Sequence, residues 1–269
     1  MKFQWIGGPT FLLELGSFRI LSDPMFAEGE SAFIMNGHPS TGEDNVPIAR
    51  LAPLPHLELS PLDCVILSHL HSDHFDNVAR EALVKDLLLI APLNQKSKLE
   101  SWGFHKIQAL DWWQEFVLTK DNETLKLISV PAQHSHDAQT NQELGIVSGY
   151  ILKYSANGIT YTIYWTGDTV WFNEMDEIKK AIGNLDLLIP HLGAVGMDGP
   201  WGLMTLDSEE AIKLVVLMEP QAIIPIHHHT FSHYIEPISL FQEKINKSEY
   251  KNRLFIFNEG EKLDLHQEA

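Results

Sequence analysis

Ser68-His69-Leu70-His71-Ser72-Asp73-His74 sets three imidazoles and a carboxylate within seven residues, directly after the apolar run Cys64-Val65-Ile66-Leu67. In extended chain, residues two apart share a face, so His69 and His71 point the same way. A turn after His71 then brings Asp73 and His74 round to a neighbouring position. Imidazole suits borderline ions such as Zn2+, and a carboxylate adds the charge that holds a second ion. The spacing therefore reads as one wall of a metal site. Histidine is also clustered elsewhere among its 14 copies, at His134 and His136 and at His227-His228-His229 with His233.

These side chains need strands and helices to position them. Residues 11–15 and 18–21 form apolar runs around Gly16-Ser17, which predicts an opening hairpin ended by Asp23-Pro24. Residues 65–67, 87–91, 125–130, 149–154, 160–165, 185–189 and 222–226 carry strand patterns. Helical patterns fall at 78–85, 94–102, 171–182, 208–218 and 235–245, with Asp207 or Ser208 as a cap for the fourth. Strands dominate each half with helices between them, which predicts an α/β protein of two sheets covered by outer helices. No linker divides the chain, so residues 1–269 read as one domain. The stretch from Met25 to about Pro61 is rich in Gly, Pro, Glu and Asn and too long for a connector. It reads as a lid or binding loop over the site, at about 25–60.

The run from His69 to His74 resembles the H-x-H-x-D-H signature of the metallo-β-lactamase superfamily, and the resemblance extends along nearly the whole chain. Trp5-Ile6-Gly7-Gly8-Pro9-Thr10 through Leu21-Ser22-Asp23-Pro24 is similar to the opening hairpin of one branch. That branch includes L-ascorbate-6-phosphate lactonase and N-acyl-phosphatidylethanolamine phospholipase D. Pro131-Ala132-Gln133-His134, Tyr164-Trp165-Thr166-Gly167-Asp168-Thr169 and Pro225-Ile226-His227 resemble the later ligand motifs, in the family's order. The resemblance implies a four-layer αβ/βα sandwich of two mixed β-sheets flanked by helices.

It also implies a ligand set, position by position. His69, His71 and His134 would hold one divalent ion and Asp73, His74 and His227 a second, with Asp168 shared between them. Asp23 resembles an outer carboxylate that orients a ligand imidazole through the other ring nitrogen. Histidine-rich ligation favours Zn2+, and the same set accepts Mn2+ or Fe2+. A hydroxide bridging two such ions is available near neutral pH, because metal binding lowers the pKa of water from about 15.7 towards 7. The implied activity is hydrolysis of a small ester, lactone or phosphodiester. Asp168 would orient the hydroxide, and His191 and His233 are further catalytic candidates. His228 falls on the opposite side of its strand, His229 shares parity with His227 and could reach the rim of the site, and His136 reads as a loop residue. Trp171, Phe172, Trp201 and Met204, with Phe26, Phe33 and Met35, are candidates for an apolar pocket wall. The alternatives are a di-iron redox protein on the same scaffold and a non-catalytic metal- or ligand-binding module.

Composition limits the partners. Nineteen Lys+Arg stand against 36 Asp+Glu, a net charge of −17, with no basic cluster. Nucleic acids and anionic membrane surfaces are therefore disfavoured. No run approaches the roughly 20 apolar residues that span a bilayer, and the N-terminus shows no signal-peptide pattern. Cys64 is the only cysteine, which excludes intrachain disulfides and reads as core packing. The expectation is a cytoplasmic enzyme with a small-molecule substrate; homo-oligomerisation stays open.

Overall fold

The computed structural model describes residues 1–59 and 61–264. Position 60, at the end of the expected covering loop, and residues 265–269 of the expected domain lie outside the described residues. The chain opens with β1 (Lys2–Gly7), β2 (Thr10–Leu15) and β3 (Phe18–Ser22), joined antiparallel. The expected hairpin is β2–β3, and β1 adds a strand in which Phe3 and Trp5 alternate into the core. The long segment that follows carries a small hairpin of its own, β4 (Phe33–Met35) with β5 (Val46–Ile48).

β6 (Cys64–Ile66) runs parallel to β3. After it comes α1 (Asn77–Ala82), whose first turn is capped by the Asp76 carboxylate accepting from the Ala79 N–H. β7 (Leu88–Pro92), α2 (Lys96–Ser101) and β8 (Ile107–Leu110) complete the first half. The second half contains β9 (Glu115–Lys120), β10 (Glu123–Ala132), α3 (Ala138–Leu144), β11 (Val147–Ala156) and β12 (Ile159–Trp165). It continues through α4 (Met175–Ile182), β13 (Leu187–Ile189), α5 (Ser208–Met218), β14 (Ala222–Ile223) and α6 (Ile238–Asn246). A last strand, β15 (Lys262–Asp264), returns to pair with β1.

Two mixed sheets result. The first has the order β15-β1-β2-β3-β6-β7-β8 and the second β14-β13-β12-β11-β10-β9. Side chains alternate across each strand, so one strand can feed two cores. Cys64 and Ile66 of β6 point between the sheets, whereas Val65 and Leu67 face α1 and α2. Ile163 and Trp165 of β12 meet Phe11 and Leu13 across the sandwich, while Tyr164 packs under α4 and α5. Helix, sheet, sheet and helix thus form the expected four layers, and strands buried on both faces explain the continuous apolar runs. Each fully buried Leu, Ile or Phe contributes about 1.5–3 kcal/mol.

Several boundaries differ from expectation, two of them at prolines. The strand expected to reach 226 keeps regular pairing only over Ala222–Ile223, because Pro225 lacks an N–H. The last helix begins at Ile238 rather than 235, after Pro237 fixes an extended turn. The helix expected over 171–182 starts at Met175. Cys64 is fully buried, and burial pushes its thiol up to about 12, which leaves it inert at neutral pH. No helix of the described residues is long and apolar enough to cross a membrane.

Candidate metal centre

Strand ends from both sheets converge on one edge. His69 to His74 follow β6, His134 follows β10, Asp168 follows β12, His191 follows β13 and His227 follows β14. The ring nitrogens of His69, His71 and His134 lie within 4.8 Å of one another. A second group, within the same limit, joins His74, Asp168, His191 and His227. Asp168 Oδ2 stands between the two groups, 3.7 Å from His134 Nε2 and 3.2 Å from His74 Nε2. Asp73 Oδ2 joins from the side, 3.7 Å from His74 Nε2 and 3.6 Å from His227 Nε2. All seven residues that the family resemblance implies as ligands therefore meet in one place.

The far side of each imidazole decides what the near side can do. His134 Nδ1 faces the Met204 carbonyl at 2.8 Å, His227 Nδ1 the Leu192 carbonyl at 3.2 Å and His71 Nε2 the Leu144 carbonyl at 3.1 Å. A carbonyl only accepts, so the facing nitrogen carries the proton and the lone pair sits on the other. Asp23 fixes His74 in the same way, its Oδ2 accepting from Nδ1 at 2.7 Å. Ser68 Oγ gives its proton to Asp23, which leaves its oxygen to accept from His69 Nδ1 at 2.9 Å. Five ring nitrogens are thus turned into one buried pocket. Among them His69 Nε2 and His227 Nε2 are buried without any hydrogen-bond partner. An uncompensated buried acceptor is costly unless a cation completes it, so these residues fit divalent metal ions.

The charges agree. Asp23, Asp73 and Asp168 are all buried around the cluster. Burial opposes a charged imidazole at His74, yet Asp168, Asp73 and Asp23 hold it well above the usual histidine range. Burial likewise works against the Asp73 and Asp168 carboxylates. His74, His227 and His233 outweigh it at Asp73, and His227 and His74 outweigh it at Asp168, so both stay well below the usual carboxylate range. Burial, reinforced by the neighbouring imidazoles, drives His69 far down and His71 to about 4, which keeps these two as neutral ligands. Such a surplus of buried negative charge calls for cations. The backbone is strained here as well: Asp23 (φ +24°) and His227 (φ +60°) both occupy left-handed conformations that non-glycine residues avoid.

A cavity of about 510 Å³ opens onto the cluster and exposes His71, Asp73, His134, Asp168 and His233. His233 is buried, lies 3.4 Å from Asp73 Oδ2 and has both ring nitrogens free of hydrogen bonds. It lines the cavity. His191 is placed differently. Its ring is fully buried and off the cavity wall, with Nε2 accepting from Trp165 Nε1 at 2.7 Å and Nδ1 donating to Asp168 Oδ1 at 2.7 Å. With both nitrogens engaged it cannot reach substrate, and it orients Asp168 instead.

Of the expected apolar wall, Met35, Trp201 and Met204 line the cavity. Phe172 packs in the outer core under α4 and α5 with Trp171 against it, Phe26 packs over α1, and Phe33 meets Phe231 edge to face. His228 is buried against Trp5, and His229 turns away to Glu259 at 3.3 Å rather than to the rim. His136 bonds Glu210 at 2.6 Å. The sequence reading missed α3, which supplies Thr140, Glu143 and Leu144 to the wall. Its signal was Asp137, whose carboxylate caps the helix by accepting from the Thr140 N–H. Ser68, which ties Asp23 to His69, was missed too.

A family model described as a beta-lactamase superfamily domain matches residues 19–228. A UPF0173 metal-dependent hydrolase from Pyrococcus furiosus is 27% identical over 267 residues, covering 98% of this chain and 100% of that one. The crystal structure of an isothiocyanate hydrolase from Delia radicum gut bacteria matches with a TM-score of 0.81 at 24% identity, over 98% of this chain and 99% of that one. That of a possible metal-dependent hydrolase from Veillonella parvula gives 0.82 at 20% identity, again over 98% and 99%. At these identities the two structures speak for the fold, and the family model speaks for descent. The chain belongs to the metallo-β-lactamase superfamily, and its kinship is with that superfamily's metal-dependent hydrolases.

Proposed function

We propose that this chain hydrolyses a small ester, lactone or phosphodiester with two divalent ions. His69, His71 and His134 would hold one ion, Asp73, His74 and His227 the other, and Asp168 would lie between them. The observation that carries this reading is the set of five imidazoles whose far nitrogens are each tied to an acceptor, so that the near nitrogen of each is turned inward. Zn2+ suits these donors best. When bound, the ions supply a water ionised near neutral pH and positive charge for the developing anion.

The remaining work falls to the chain itself. Asp23 holds the His74 ring, and through Ser68 it also holds the His69 ring. Trp165 and His191 fix the Asp168 carboxylate from behind, so that Oδ2 stays turned to both groups. His233, with a free ring nitrogen at the cavity, is placed to hydrogen-bond the substrate or its leaving group. Ile34, Met35, Asn36, Gly37 and Pro39 line the same cavity, which supports residues 25–59 as its cover within one folded unit.

Elemental analysis of the purified protein, alongside turnover of p-nitrophenyl esters, a lactone and bis(p-nitrophenyl) phosphate, tests the reading. About two ions per chain and cleavage of at least one probe are expected, with His69→Ala and Asp168→Ala falling to background. A metal-loaded protein that cleaves none of them would leave the hydrolase reading without support. Turnover undiminished in Asp168→Ala would remove the two-ion arrangement.

A further inference from the structure

The cavity wall is mixed. Beside the metal-site residues it carries an apolar surface from Met35, Leu70, Leu144, Trp201 and Met204. Among the described residues no lysine or arginine lines it, and the charged side chain on the wall beyond the metal-site residues is Glu143. Arg50 cannot be recruited, because its guanidinium is spent on the carbonyls of Ile6, Met25 and Ala52. Asn36, Ser72 and Thr140 are the cavity's uncharged polar groups, so an anionic group away from the metal-site residues would lose hydration and meet no cation in return. The part of this apolar surface beside the cover is also built in advance. A Cβ on Gly199 would meet the Pro39 carbonyl oxygen at 1.7 Å, and one on Gly37 would stand 3.1 Å from the Trp201 ring. The cover and the turn around Gly199 thus pack backbone to backbone, which seats the Trp201 indole as a fixed surface.

Resting on the hydrolase reading above, we propose that the substrate is a neutral ester or lactone carrying an apolar arm of several carbons. A substrate with a phosphate or carboxylate at the far end is selected against. Trp201 and Met35 set the length of the arm, and Glu143 excludes the remote anion.

Matched probes separate the parts of the claim. For the metal-loaded protein, kcat/KM is expected to be about tenfold or more higher for p-nitrophenyl hexanoate than for the acetate, since each buried methylene is worth a few-fold. It is expected to exceed that of mono-p-nitrophenyl adipate, which differs by a terminal carboxylate, by about tenfold or more. Trp201→Ala should collapse the hexanoate-to-acetate ratio. Glu143→Lys, an exposed change on α3 that leaves the core untouched, should raise kcat/KM for the adipate ester about threefold or more and lose that gain at high salt. Cleavage of the adipate ester as fast as the hexanoate would overturn the claim and leave hydrolysis standing. Calorimetry with acetamide and hexanamide reads the apolar arm without turnover: tighter hexanamide binding with no ester cleaved would sink the hydrolase reading alone. Equal binding of the two amides overturns the arm whether or not esters are cleaved.

Discussion

His191 shows how a residue can serve the centre without touching what passes through it. It sits between an indole N–H and a carboxylate, each at 2.7 Å, and lies wholly out of solvent. Its removal leaves Trp165 Nε1 unpaired and lets the Asp168 carboxylate rotate. His191→Ala is therefore expected to lower metal affinity or kcat by about 10- to 100-fold, the usual effect of losing a partner behind a ligand. His191→Asn, which keeps one donor and one acceptor, should recover part of that loss; full metal content and full kcat in His191→Ala would contradict the role. At this scale the sequence was informative wherever chemistry fixes spacing, as at His69, His71, Asp73 and His74. It was silent on which histidine at a strand end faces in. His191 and His233 look alike as letters, and only the Trp165 hydrogen bond and the cavity tell them apart.

Among the connections, the turn Thr166-Gly167-Asp168 is the most exacting. Gly167 adopts φ +59°, and a Cβ there would lie 2.8 Å from the Ser148 carbonyl oxygen and 2.9 Å from Ser68 Cβ. The loop after β12 is thus pressed against the residue that leads into the first histidines. Gly167→Ala should destabilise the fold by about 1–3 kcal/mol and displace Asp168. A thermal melt together with metal titration reads both effects, and an unchanged melt would show that the turn has more room than the contacts indicate. Periodicity exposed most of the strands and helices around this turn, because strands buried on two faces and amphipathic helices write their burial into the sequence. β9 alternates too, yet its half-exposed Glu115-Phe116-Val117-Leu118 pattern is weak, as expected of an edge. The wall that α3 builds has no apolar stripe to announce it, since none of its residues is buried.

The whole molecule gathers titratable groups where water cannot reach them. Burial lowers His71 to about 4, and His191 and His228 to about 3, with His69, His134 and His233 also depressed. A histidine whose folded pKa lies below its unfolded value stabilises the fold above about pH 6.5, and that contribution drains away as pH falls towards the folded value. His74 runs the other way, being raised by its carboxylates; its contribution is complete below about pH 6.5 and is lost as pH climbs through its folded pKa. Six depressed rings outweigh one raised ring. In chelator, the melting temperature is expected to fall by about 5 °C or more between pH 7 and pH 5. A melt that holds steady or rises over that interval would mean that the rings are already charged in the native state.

The convergence of strand ends carries a consequence for the lifetime of the chain. His69 to His74 hang from one sheet, and His134, Asp168 and His227 from the other. Ions seated among them would rivet the two halves of the sandwich together, so their binding free energy would count towards folding. A copy starved of metal would open along that seam more often and offer its backbone to proteases. Scarcity of the ion would then thin the population of idle copies before it slowed the loaded ones.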